Sequence, residues 1–224
     1  MSEPTVELRD VVRRYPGQPP VESLRGVSLT IEAGELVGVV GPSGSGKTTL
    51  LHIMGTLDRA TSGSVRIAGL DTTSMSDREV AGFRSMRLGF VFQQFYLIDG
   101  MSVVDNVAEG LLYRGIDVRT RRQFALAALE RVGLAHRLAH RPSQLSGGER
   151  QRTAIARAIV GRPDLILADE PTGNLDSVSG AGIIALLREL HEAGATIAVI
   201  THNAELAGAM TRTVHLVDGR IADE

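Results

Sequence analysis

Gly41-Pro42-Ser43-Gly44-Ser45-Gly46-Lys47-Thr48-Thr49 decides the fold. The stretch fits G-x-x-x-x-G-K-[ST], the phosphate-binding P-loop pattern. Its surroundings agree. Residues 36–40, Leu-Val-Gly-Val-Val, read as a short buried strand, and residues 48–54 as the opening of a helix. A strand, a glycine-rich turn and a helix start together make an anion site. Glycines let backbone N–H groups close on phosphate oxygens, and the helix dipole favours the negative charge. The pattern assigns Lys47 to the β- and γ-phosphates and the Thr48 hydroxyl to Mg²⁺. A turn that merely needs glycine explains some of these residues. It does not explain Lys-Thr-Thr directly after them.

Working outward, strands alternate with helices on both sides of this loop, which indicates an α/β fold with a parallel core. Strands are expected over residues 5–12, 24–31, 64–68, 88–92, 165–168, 196–200 and 213–217. Asp218-Gly219 closes the last of these as a hairpin turn. The strand-rich opening suggests a small antiparallel β portion packed against the nucleotide core. Helices are expected after Ser76 to residue 86, from an N-cap at Ser102 to residue 113, and over 119–132 as an amphipathic segment. Further helices are expected over 146–159, from Asp176 to residue 192, and over 204–210. Residues 93–144 are almost strand-free. They read as a helical subdomain inserted into a single domain whose core is residues 1–92 and 145–224.

Composition narrows the function. With 224 residues and 43% apolar content the chain can bury a real core. A net charge of −2 leaves no global basic footprint for nucleic acid. No cysteine is present, which excludes disulfide frameworks and thiolate metal sites. The N-terminus lacks a signal-peptide core, and no apolar run approaches the ~18 residues of a membrane span. If the protein acts at a membrane, another chain must supply the span.

Two more stretches carry chemistry. Asp169-Glu170 follows the apolar strand 165–168, at the carboxyl end where parallel sheets bind ligands. An acid there holds Mg²⁺ beside the phosphates, and Asp169 takes that role. Glu170, one residue on, is free to orient the attacking water or accept its proton. Ser146-Gly147-Gly148-Glu149 contains S-x-x-E, a capping box. The capping box does not explain two glycines, each costing a helix roughly 0.8–1 kcal/mol against alanine. They suit close approach of a phosphate to a second helix start. The chain thus has two such starts about a hundred residues apart. One triphosphate fills the first, so the second most economically serves a triphosphate on another copy.

With Leu145-Ser-Gly-Gly-Glu149 and the P-loop in this order, the chain resembles an ATP-binding cassette, the nucleotide-binding subunit of ABC transporters. The resemblance covers nearly the whole length. It implies ATP and Mg²⁺ as ligands, ATP hydrolysis, and a head-to-tail dimer with ATP at its interface. It also implies a separate transmembrane permease subunit and a peripheral place on the cytoplasmic face of the membrane, with no nucleic-acid partner. Tyr15 resembles the aromatic that stacks on adenine. Gln93 in Val-Phe-Gln-Gln resembles the glutamine that touches Mg²⁺ or the attacking water and relays nucleotide state to the membrane partner. The stretch after it, including Phe95-Tyr-Leu-Ile98, is the expected contact with that partner. Asp176 resembles the aspartate of the loop crossing the dimer interface, and His202 the histidine that contacts the γ-phosphate. His52, His136, His140, His191 and His215 receive no role.

Glu149 stands where glutamine is more usual in the family. A negative charge near phosphate is unfavourable unless it turns away into the capping box. With the run Pro171-Thr-Gly-Asn-Leu-Asp-Ser177, Glu149 resembles the branch of lipoprotein-release, macrolide-export and cell-division cassettes. A soluble ATPase acting on DNA or ribosomes is the main alternative. Such relatives usually carry coiled-coil inserts, zinc-binding cysteines or two cassettes in one chain, and none of these is seen here. A nucleotide sensor without turnover sits poorly with Glu170 and His202, and a kinase leaves residues 145–149 without a job.

Overall fold

A computed structural model describes residues 3–222. Two sheets share the molecule. One is four-stranded and antiparallel, in the order β2-β1-β4-β5, from β1 (Val6–Tyr15), β2 (Val21–Ile31), β4 (Ser62–Ile67) and β5 (Leu70–Asp71). The other is six-stranded, in the order β10-β9-β3-β8-β7-β6. Its parallel strands are β3 (Leu36–Val40), β6 (Leu88–Val91), β7 (Leu165–Asp169), β8 (Ile197–Thr201) and β9 (Arg212–Val217). Only β10 (Arg220–Ile221) runs against its neighbour, across the turn at Asp218 and Gly219. Both turn residues have positive φ, as a two-residue hairpin requires.

The period of two along the strands splits the apolar residues between two cores. On β7, Leu165 and Leu167 face one core while Ile166 and Ala168 face the other. On β8, Ala198 and Ile200 belong to the first and Ile197 and Val199 to the second. The first core joins the antiparallel sheet to the parallel one through Leu50, Leu51, Ile53 and Met54 of α1 (Lys47–Met54), with Phe83 of α2 (Asp77–Arg87). The second lies under α3 (Val103–Ala108), α4 (Val118–Arg131), α5 (Gly147–Ile159) and α6 (Ser177–Glu192). A helix on each face explains why these strands read as continuous apolar runs rather than alternating ones.

Three boundaries differ from expectation. The first two strands are longer, because β1 continues past a bulge at Asp10 and pairs with β2 out to Tyr15 and Val21. The helix expected from Ser102 to residue 113 stops at Ala108 and tightens into a 3₁₀ turn, Glu109–Arg114. There Gly110 presses on the Arg157 carbonyl, where a Cβ would come within 2.6 Å. The short helix near the end, α7, is Ala204–Gly208. Residues 93–144 carry no strand. Their apolar side chains belong to the same cluster as α5 and α6.

Candidate functional site

The register of the parallel strands lines up one edge of the sheet. Val40 of β3 pairs with Thr201 of β8, Ile200 with Asp169 of β7, and Ala168 with Val91 of β6. The segments leaving these ends are Gly41 to Lys47, His202, Glu170 and Gln93. They emerge side by side, where the carboxyl ends of an open parallel sheet bind ligands.

At the first of these ends the loop turns into α1 through Gly46, with φ of 102° and its backbone against the Ser23 carbonyl. No other residue type fits, since a Cβ there would sit 2.4 Å from that oxygen. No side chain caps the helix, so its first N–H groups are left for a ligand. Ser45 is buried and its Oγ has no partner. Lys47 is 9% exposed, and its Nζ donates to the Gly41 and Pro42 carbonyls at 2.8 Å each. Pro42, Ser43, Gly44 and Thr48 are exposed, and Thr49 hydrogen-bonds Ser23 at 2.8 Å. An uncapped helix start, an orphaned hydroxyl and a buried ammonium without a carboxylate fit a polyphosphate.

Asp169 ends β7 and is half-buried. Burial, and then the Glu170 carboxylate, push its pKa above the ordinary value, while His52 and Lys47 draw it down by less. A half-buried carboxylate that feels the charge of Lys47 at the start of α1 fits a divalent cation beside the phosphates. Among the described residues no three His, Asp or Glu side chains gather to hold a metal alone. A cation here must complete its shell from phosphate and water, as Mg²⁺ commonly does. Asp169→Asn is therefore expected to stabilise the ligand-free protein. The group is only half-buried, so the gain is small, about 2–4 °C in Tm. The sign follows from linkage. A carboxylate with a raised folded pKa penalises folding above that pKa. The gain therefore closes as pH falls below the unfolded value. Melting curves at pH 7 and at acid pH check both halves.

Glu170 adopts a left-handed φ of 44° just past the strand, which turns its side chain along the sheet edge. Its Oε2 accepts from the Thr201 hydroxyl at 3.0 Å and its Oε1 from the His202 amide at 3.0 Å. The His202 Nδ1 sits on the same Oε1, leaving Nε2 for a second partner. Gln93 is exposed, and its Nε2 donates to Asn174 Oδ1 at 3.2 Å while Asn174 Nδ2 returns to the Gln93 carbonyl at 3.0 Å. No spacing in the sequence points to Thr201 or Asn174. Only the adjacency of β6, β7 and β8 makes them partners.

Tyr15 stands at the end of β1, paired with Val21 of the strand whose Ser23 abuts Gly46. Its hydroxyl donates to Asp58 at 2.8 Å, and the Arg13 guanidinium lies 4.4 Å from its ring centroid.

The remaining residues form a second group. Ser146 caps α5, accepting from the Glu149 amide at 3.2 Å, while Glu149 Oε2 accepts from the Ser146 amide at 2.9 Å. The capping box expected for Glu149 is present. Gly147 and Gly148 meet their own chain. A Cβ on Gly147 would lie 3.2 Å from Leu175, and one on Gly148 would lie 3.1 Å from the Ser179 hydroxyl. Asp176 caps the neighbouring α6, accepting from the Ser179 amide and hydroxyl at 2.9 Å each. Among the described residues no hydrogen bond or ion pair joins this group to residues 41–49.

Residues 24–173 match the family described as ABC transporter. The chain is 50% identical over 217 residues to an uncharacterized ABC transporter ATP-binding protein of Thermotoga maritima, covering 96% of this chain and 93% of that one. It is 48% identical to the lipoprotein-releasing system ATP-binding protein LolD of Geobacter metallireducens, covering 96% and 97%. To the macrolide export ATP-binding/permease protein MacB of Chlorobium luteolum it is 49% identical, yet it spans 33% of that protein's length. A solved ATP-binding cassette, dimeric, in a post-hydrolysis state bound to ADP and Pi, superposes with a TM-score of 0.88 at 42% identity over 97% of both chains.

Proposed function

Since the chain belongs to the ABC transporter family and is an ABC ATPase, we propose that two copies close head to tail over two ATP molecules and drive a separate membrane subunit. The observation that carries the two-copy reading is the presence of two phosphate-suited helix starts about a hundred residues apart in the chain. The P-loop supplies one, α5 the other, and among the described residues no hydrogen bond or ion pair joins them. The dimeric cassette at 42% identity supports the same arrangement.

In each site Lys47 and the open amides at the start of α1 bind the β- and γ-phosphates of ATP. Ser146, Gly147, Gly148 and Glu149 of the other copy face the γ-phosphate, and the loop at Asp176 crosses the interface. Tyr15 offers its ring to the adenine. Thr48, Asp169 and Gln93 would hold Mg²⁺, which would neutralise charge at the phosphates. Glu170 takes the proton of the attacking water. Thr201 and the His202 amide hold its carboxylate still, and His202 turns Nε2 to the γ-phosphate.

Among the described residues no helix is long and apolar enough to cross a membrane. The relatives named as transporter ATP-binding proteins support a peripheral place at a membrane, and on this reading the chain sits on the cytoplasmic face beside a permease. A groove of about 1040 Å³ suits that partner. Phe90, Tyr96 and Tyr113 line it, with Arg78, Arg84, Arg114 and Arg157 and, among the described residues, no carboxylate. Arg114 spends its donors on the Ser85, Met86 and Gly161 carbonyls, and Arg157 on those of Phe95 and Tyr96. Among the described residues no carboxylate bonds either guanidinium, and only Arg114 feels one at a distance, that of Asp164. The occupant that fits is an amphipathic helix of the membrane subunit with an acidic residue on its buried face.

The composite site makes turnover second order in protein. ATPase rate per chain is expected to fall in proportion to dilution once dimers dissociate. A constant rate per chain in material shown by sedimentation to be monomeric would overturn the reading.

A further inference from the structure

The start of α5 carries a carboxylate in its first turn, an awkward neighbour for a phosphate. Both oxygens of Glu149 are engaged. Oε2 takes the Ser146 amide, and Oε1 takes Nε–H of Arg137 at 2.8 Å. Arg137 comes from the turn Ala135–Arg137, which precedes the capping box at residues 146–149. The other side of its guanidinium lies 3.1 Å from His140 Nε2. The pair is partly shielded, with 34% of the Arg137 and 21% of the Glu149 side chain exposed. The Ser146 amide, then Arg137, hold the Glu149 carboxyl below its usual range, so it is ionised. Among the described residues the Gly147 and Gly148 amides have no acceptor.

Resting on the two-copy reading, we propose that Arg137 is a positioning residue. It neutralises Glu149 and keeps that carboxylate folded back on Ser146, so that the two glycine amides can receive the γ-phosphate bound to the other copy. Without Arg137 the helix start would offer its dipole and a full negative charge together, and the second would cancel the first.

The test measures ATP·Mg²⁺-dependent dimerisation by light scattering in Glu170→Gln protein. Into this background Arg137→Gln is expected to weaken the dimer at least about tenfold, from one uncompensated charge beside each phosphate. Adding Glu149→Gln to Arg137→Gln is expected to recover most of the loss, since the offending charge is gone. Arg137→Lys keeps the charge and is expected to retain most of the dimer. A brace that merely ties residues 135–137 to α5 would stay broken in the Arg137→Gln/Glu149→Gln protein. Failure of that rescue, or no effect of Arg137→Gln, would overturn the proposal. If the Glu170→Gln parent itself does not dimerise with ATP, the two-copy reading fails and takes this inference with it.

Discussion

Glu170→Gln protein is expected to bind ATP at least as tightly as wild type while hydrolysing it about 10²–10⁴-fold more slowly, the span of a lost general base. The substitution spares the geometry. An amide oxygen can still accept from the His202 amide, which now meets Oε1 at 3.0 Å. Thr201 can turn its hydroxyl to suit. What disappears is the capacity to take a proton. The charge change also helps binding. Glu170 is one of the two causes that push Asp169 upward, so a neutral residue at 170 eases ionisation of Asp169 and its hold on a cation. Binding and turnover therefore move in opposite directions, and a stable ATP-bound dimer accumulates. The measurement is paired: nucleotide affinity by calorimetry and phosphate release by steady-state assay. Near-wild-type turnover would mean that the base is another group.

Much of this site was legible because its parts are local. The P-loop carries its own helix start, and S-x-x-E at residues 146–149 announces a capping box that the structure contains. Short continuous apolar runs at residues 36–40 and 165–168, set among helices, mark the parallel core. What escaped is what the sheet brings together. Asn174 meets Gln93 across 81 positions, and Thr201 meets Glu170 across 31, with no spacing rule to link them. Arg137 reads as one arginine among many until the turn Ala135–Arg137 lays it on Glu149. In the sequence the glycines at 147 and 148 read as room for a phosphate. In the fold they first make room for Leu175 and Ser179, so the neighbouring helix starts sit tightly together. The shortened helix at Ala108 has a similar cause, a backbone contact at Gly110 that no helix propensity encodes.

Lys47→Ala is expected to raise the dissociation constant for ATP by roughly 10²–10³-fold, the loss of one or two charge-assisted hydrogen bonds in a partly desolvated site. The ammonium is buried and satisfied only by two neutral carbonyls, those of Gly41 and Pro42. Without ligand that is a poor arrangement for a cation, and it becomes a good one when phosphate oxygens take the third donor. The preference is for anionic phosphate beyond the first, so the variant is expected to lose discrimination between ATP and AMP rather than affinity for both. Arginine is not expected to restore it. Its planar fork needs more room than a loop where a Cβ on Gly41 would already lie 2.0 Å from the Leu216 carbonyl. Calorimetric titration of the variant with ATP and with AMP decides the matter. Tight, ATP-selective binding without Lys47 would remove this loop from the site, and with it the end of the sheet on which Asp169, Glu170 and His202 converge.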